Sequence, residues 1–293
     1  MALRFVQAIA CRQPSGPAEP CRQCRSCQQI ERQQYADLSI IQAEEDSRDI
    51  KIDQVRALQH WLSLAPYEAP YRAALLLNFQ DASQSAQNAL LKTLEEAPDR
   101  AILLLTADSP ESLLPTIASR CETLRLHPLP VDEAIPYLES LEGLDHSQAR
   151  LLAHMAGGRI GYARRLGKEP GEIERWNTAV EQVFHLLGAS YRERFKEADR
   201  LTHNRLQARE NLQQAFQVWL SVWRDVLLYA SGSSSPLVNL AYEAELRSLA
   251  SKVPLEAARQ VVAGLESSLQ KLDANANTTL LAEVTLLDMP QIK

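Results

Sequence analysis

Glycine is scarce in this sequence. Ten residues in 293 are glycine, about half the usual share of roughly 7%. Gly16 alone precedes Gly143, so the first half of the chain has no run of bare backbone able to wrap a phosphate. A Gly-rich nucleotide loop is thereby excluded. Long apolar runs are also missing: nothing approaches the roughly 18–20 consecutive apolar residues that a membrane-spanning helix needs. The opening Met1-Ala-Leu-Arg-Phe-Val-Gln-Ala-Ile-Ala10 is too short and too mixed to be a secretory signal. There is no basic excess either, with 31 Lys and Arg against 37 Asp and Glu, a net charge of −6. Phosphate backbones are bound by basic surfaces, which argues against a zinc-containing DNA-binding module. Internal repeats and low-complexity tracts are absent.

Hydrophobic residues make up 45% of the chain and charged residues 23%, ordinary values for a globular protein of two or three domains. Residues 72–78 and 101–107 are short continuous apolar runs, the pattern of parallel strands buried on both faces. Residues 37–41 and 122–126 are weaker strand candidates. Between them, Ile52, Val55, Leu58, Trp61 and Leu62 recur at helical spacing until Pro66. Ser83 is placed to cap a second helix, with Ala86, Ala89, Leu90 and Leu94 as its buried stripe and Pro98 at its end. Strands alternating with helices predict a parallel α/β sheet.

Beyond Pro130 the pattern is helical. Three short helices are predicted over 132–141, 147–155 and 159–166, and a hinge over Gly167 to Gly171. A helical stripe from Ile173 to Leu187 and a stronger one from Leu212 to Leu227 come next. Residues 231–236 are a loop, and helices are expected near 237–250, 255–272 and 278–287. Trp176, Trp219 and Trp223 sit at core spacing and are expected to pack helices.

Four of the five cysteines crowd together. Cys11, Cys21, Cys24 and Cys27 stand as C-x9-C-x2-C-x2-C. Tetrahedral zinc takes four thiolates about 2.3 Å from the metal, and a C-x2-C turn delivers two of them. With no further ligand beside them, the four predict a closed, structural Zn2+ site rather than a catalytic one. Cys121, far away in sequence, is expected to be a small core residue.

Three segments then carry a family resemblance: Asn88-Ala-Leu-Leu-Lys-Thr-Leu-Glu-Glu-Ala-Pro98, Leu114-Pro-Thr-Ile-Ala-Ser-Arg-Cys121 and Ile50-Lys-Ile-Asp-Gln-Val-Arg56. With the cysteine module and Gly157-Gly-Arg-Ile-Gly-Tyr-Ala163, the sequence resembles the delta-prime family of clamp-loader subunits of bacterial DNA polymerase III, within the AAA+ superfamily. The resemblance implies an AAA+ α/β domain over 1–128 with its zinc module at 11–27, a small helical lid over 129–168 and an all-α collar over 172–293. It implies gamma/tau ATPase subunits and the delta subunit as partners. Through them it implies the sliding clamp and primer-template DNA, in the cytoplasm and with no membrane.

Departures from the superfamily's ATPase pattern concern the chemistry. An active member needs a phosphate loop ending in Lys and Ser/Thr, and an Asp, usually with Glu, at the end of its third strand. The first is absent, and that strand ends Leu77-Asn-Phe-Gln-Asp81, neutral at Asn78 and Gln80. Asp81 is weighed as a hidden acid and read instead as a turn residue. No ATP is expected on this chain. The alternative, an active gamma/tau-type ATPase, needs both missing features. By resemblance, Arg120 of Ser119-Arg-Cys121 reaches in trans into a neighbour's nucleotide site, the one catalytic role expected here. By the same resemblance Thr106 stands at a sensor position and Arg159 near a second one; with no nucleotide to sense, Thr106 is read as a strand-end residue, and Glu95 and Glu96 as a solvated helix end. The family's layout also places a strand and phosphate loop ahead of the first helix. The expectation is that Met1 is an internal start or that roughly 40 residues are missing.

Overall fold

The computed structural model describes residues 1–44 and 49–292. They form two compact units, Met1–Arg125 and Leu126–Lys293. In the first unit, α1 (Ala2–Ala10) is followed by the cysteine loop and α2 (Arg25–Glu31). Then come β1 (Leu38–Ile41), α3 (Ile52–Leu62), β2 (Arg72–Leu76) and α4 (Gln84–Glu95). β3 (Ala101–Leu105) and the single turn α5 (Pro115–Ala118) complete it.

The strands form one parallel sheet in the order β1-β2-β3, with Leu38 opposite Ala73 and Arg72 opposite Ala101. Successive strand residues face opposite ways, and β2 shows this directly. Ala74 and Leu76 pack with Val55, Leu58 and Leu62 of α3 and Leu90 of α4. Ala73 and Leu75 pack with Val6, Ile30 and Tyr35 on the other face. Ser83 caps α4 as expected, its hydroxyl accepting from the Ala86 N–H at 3.2 Å.

Two strand expectations are corrected. β3 lies at the sheet edge, and all five of its residues are half-exposed rather than buried. Residues 122–126 form no strand, and Leu124 and Leu126 are 72% and 68% exposed. A strand needs a hydrogen-bonding neighbour, and no described strand lies beside this segment. Its alternating leucines therefore have nothing to pack on.

The second unit is helical. It runs through α6 (Val131–Glu142), α7 (His146–Met155), α8 (Ile160–Lys168), α9 (Pro170–Gly188) and α10 (Tyr191–Thr202). It continues through α11 (Ala208–Ala230), α12 (Glu243–Lys252), α13 (Leu255–Asp273) and α14 (Thr278–Asp288). α6–α8 enclose a small core of Val131, Ala134, Leu138, Leu152, Ala163 and Leu166. Gly158 is required there: its φ is +76°, and a Cβ would stand 1.8 Å from the Leu129 carbonyl oxygen.

The larger core lies in α9–α14, around Leu212, Phe216, Trp219, Trp223 and Val226 of α11. The expected hinge shrinks to Glu169, with Gly167 and Gly171 inside helices. The helix expected from 237 begins later, after a 3-10 turn at Leu240–Tyr242. The carboxylate of buried Asp225 accepts from the N–H groups of Val238 at 3.0 Å and Asn239 at 2.8 Å, which ties down the stretch leading into that turn.

Candidate metal centre and arginine segment

The chain leaves α1 at Cys11, crosses a loop carrying Cys21 and Cys24, and enters α2, whose first turn holds the fully buried Cys27. Arg22 takes a left-handed conformation (φ 59°) between Cys21 and Cys24. All four Sγ atoms lie within 4.8 Å of one another, and Cys11 and Cys21 are 3.6 Å apart. Four sulfurs around zinc at about 2.3 Å would be spaced by roughly 3.8 Å, so the cluster fits a tetrahedral cation of that size. Backbone N–H groups already point at sulfur, Cys21 N–H to Cys11 Sγ at 3.4 Å and Cys24 N–H to Cys21 Sγ at 3.3 Å.

Such donors favour thiolates. At Cys24, burial opposes ionisation, but the backbone N–H groups of Cys27 and Arg12 outweigh it and lower the pKa to about 6. At Cys27, burial and the neighbouring Cys24 sulfur push the pKa up to about 12. Left to themselves, the sulfurs retain a proton at Cys27. A divalent cation bound among the four would displace it.

One supporting residue was not visible in the sequence. Gln7, fully buried, donates to the Cys27 carbonyl at 2.7 Å and to Glu31 Oε2 at 3.0 Å. Arg4 donates to Gln7 at 2.6 Å and pairs with Glu31 at 2.9 Å. α1 and α2 are thus tied behind the cysteines. No local signal marked it: a lone glutamine on a helix gains this role only when folding brings the Cys27 carbonyl beside it. Cys121 packs beside the α3–α4 core, and burial raises its pKa.

At the end of β2, Asn78 is exposed in a left-handed conformation (φ 49°). Thr106 holds this turn. Its hydroxyl accepts from the Asn78 N–H at 2.9 Å and its carbonyl from the Phe79 N–H at 2.8 Å. Gln80 donates to Asp108 at 3.3 Å. Asp81 lies in the 3-10 turn leading to Ser83, its pKa raised by burial and by Asp108 and Asp49.

Arg120 follows α5 directly. Its Nη2 stands 2.6 Å from Glu95 Oε1 at the end of α4, and its Nη1 donates to the Thr116 carbonyl at 3.0 Å. Glu95 is therefore not a free helix-end charge. In the second unit, Arg159 donates to the Ala156 carbonyl at 2.9 Å and lies over the Tyr162 ring. Trp176 donates to Asn239 at 2.9 Å, while Trp219 and Trp223 are buried in the bundle.

The sequence family described as "DNA polymerase III, delta subunit" matches residues 1–130, which include the cysteine cluster and Arg120. DNA polymerase III subunit delta' of Bacillus subtilis is 28% identical over 288 residues, 98% of this chain and 85% of its own. Over nearly its whole length, then, the chain is similar to a delta-prime subunit of DNA polymerase III. The corresponding subunit of Pseudomonas aeruginosa is 33% identical over 53% of this chain and 38% of its own. DNA polymerase III subunit tau of B. subtilis is 22% identical over 82% of this chain and 46% of its own. These last two alignments span less than half of the relative. A solved DNA polymerase III gamma subunit-related protein of Thermotoga maritima is 21% identical, covering 86% of this chain and 82% of its own, with a TM-score of 0.39.

Proposed function

We propose that this chain is the non-hydrolysing member of its clamp loader and lends Arg120 to the nucleotide site of a neighbouring ATPase subunit. The observation that carries the reading is the asymmetry of its chemistry. The end of β2 presents the neutral side chain of Asn78 where a magnesium-binding carboxylate would be needed, while Arg120 stands partly exposed on a segment braced by α4 and α5. A guanidinium supplied across an interface stabilises charge on a transferring phosphoryl group and accelerates hydrolysis by about 10³–10⁵.

In this reading the neighbours are gamma- or tau-type ATPase subunits together with a delta subunit. The assembly opens a sliding clamp and places it on primer-template DNA in the cytoplasm. Residues 1–128 form the AAA+ domain, 129–168 a lid and 172–293 the collar that joins the ring. Cys11, Cys21, Cys24 and Cys27 hold a structural Zn2+ that stiffens the first unit.

The test is a loader reconstituted with its own ATPase subunits. Arg120→Ala is expected to lower the ATPase rate of the complex while the isolated chain binds no magnesium-ATP before or after the change. An unaltered rate would remove Arg120 from the role, and tight magnesium-dependent ATP binding by the isolated chain would make it an ATPase of the gamma/tau type instead.

A further inference from the structure

In this structure Arg120 faces its own chain. Its two terminal nitrogens meet the Glu95 carboxylate at 2.6 Å and the Thr116 carbonyl at 3.0 Å. Thr116 is one helical turn back, so that contact comes with the local backbone. Glu95 is different. It sits 25 positions away at the last residue of α4, where a negative charge is unfavourable against the C-terminal end of the helix dipole. The Arg120 guanidinium relieves that position. It also brings positive charge beside the orphan carbonyls of the α4 end.

We propose that Glu95 is a resting clasp for Arg120. It holds the guanidinium back until a neighbour's nucleotide phosphates replace the carboxylate. The inference rests on the reading of Arg120 as a residue that acts in trans, and it concerns the regulation of that same site.

Two physical considerations support exchange rather than a permanent three-way contact. A carboxylate hydrogen-bonded to the guanidinium neutralises the charge that Arg120 would offer a phosphoryl group. It would also stand within one hydrogen bond of the incoming anion, and like charges at that distance repel strongly. The clasp is, in addition, easy to open. The Arg120 and Glu95 side chains are 37% and 51% exposed, and ion pairs of that exposure are weak. A bidentate phosphate contact forms the stronger charge-assisted bonds and wins the exchange. Glu95 is thus a positioning residue, acting only through Arg120.

Glu95→Gln keeps the shape of the side chain and removes its charge. In the reconstituted loader it is expected to lower the ATP concentration giving half-maximal rate by up to about fivefold, the range set by a weak exposed pair. The maximal rate should change little. Glu96→Gln, the same charge change one residue on, should leave both parameters unmoved. The double variant Glu95→Gln with Arg120→Ala should match Arg120→Ala alone. An unchanged half-saturation with Glu95→Gln overturns the clasp, and so does a fall in maximal rate, which would make Glu95 a support the working arginine needs. A loader indifferent to Arg120→Ala fails earlier, at the reading of Arg120 itself, so the two failures are told apart.

Discussion

The cysteine loop of the first unit and the helical bundle of the second both tie separate chain segments to a polar centre, with very different cores behind them. Around the cysteines the apolar support comes mainly from Val6, Ala10, Ile30, Tyr35 and Leu38, between one short helix, one shorter one and a three-stranded sheet. In the bundle, two tryptophans and a phenylalanine sit among aliphatic side chains drawn from six helices. There the polar centres are buried charges met mainly by neutral groups, with Arg224 4.0 Å from Asp225 at its edge. Arg194, fully buried, donates to the carbonyls of Leu186, Leu286, Met289 and Pro290, joining the ends of α9 and α14. Asp225 likewise takes the N–H groups of Val238 and Asn239 and the Asn239 side chain. A small core needs a tie of metal–ligand strength, whereas a large core can carry the desolvation cost of a charge and use it to fix where a segment goes.

Metal removal should expose that contrast most sharply. Binding of zinc by four thiolates contributes on the order of 10 kcal/mol in small zinc domains, so chelation or Cys27→Ser should cost the first unit more than any other change considered. Purified chain should carry about one zinc. After chelation, amide-exchange protection should collapse over residues 2–31 and persist over 212–226 in α11. Retained protection in α1 and α2 would show that the Arg4–Gln7–Glu31 ties suffice without metal. The reverse experiment strikes the bundle. Arg194→Met leaves buried carbonyls without donors, at about 1–3 kcal/mol for each one unsatisfied. A loss of roughly 3 kcal/mol or more by denaturant unfolding is expected, with protection falling first in α14. Arg194→Lys should recover only part of it, because an ammonium cannot span the ends of two helices as a planar fork does.

These ties were legible in the sequence to different degrees. The cysteine site is written in spacing, and spacing survives folding. The continuous apolar run of β2, buried at all five positions, and the Ser83 cap were visible for the same reason: each depends on neighbours in sequence. Leu124 and Leu126 misled because a period of two marks a strand only where another strand is present to pair with it. Gln7, Asp225 and Arg194 gave no usable signal. Each is an ordinary polar residue on a helix, and its role depends mainly on carbonyls or N–H groups of other elements, up to 96 positions away. The same holds for Glu95, whose partner lies on another element.

The pH dependence separates buried from exposed carboxylates. Burial raises the pKa of Asp225 despite the N–H groups of Val238 and Asn239. An acid raised on folding stabilises the fold fully below its unfolded value of about 3.9 and loses that contribution as pH rises through the folded value. Asp145 and Glu193 behave oppositely. Asp145 is lowered by the Ser147 hydroxyl and the Gln148 N–H, Glu193 by the backbone and hydroxyl of Ser190. Their contribution is present above the unfolded values and is lost as pH falls through the folded ones. Asp225→Asn should therefore flatten the part of the stability profile that declines with rising pH above about 3.9. Asp145→Asn should flatten the acid limb. If both variants change the same limb, the assignment of Asp225 as a raised, buried acid is wrong.

The smallest effect on stability belongs to the residue with the largest proposed effect on function. Arg120 and Glu95 are partly exposed, and neither serves a core. Arg120→Ala and Glu95→Gln should each change unfolding free energy by no more than about 1 kcal/mol, far less than Arg194→Met, and leave protection around the cysteines and in the bundle unaltered. The expectation is sharp because Ile117, fully buried in the turn just before Arg120, already fixes the backbone of this segment. If Arg120→Ala proved as destabilising as a buried substitution, the arginine would be holding α4 to α5 for the sake of the fold. A loss of loader activity would then carry no information about a residue working in trans. A silent effect on stability, paired with a lower ATPase rate in the complex, is the combination that separates a residue kept for its neighbour from one kept for its own chain.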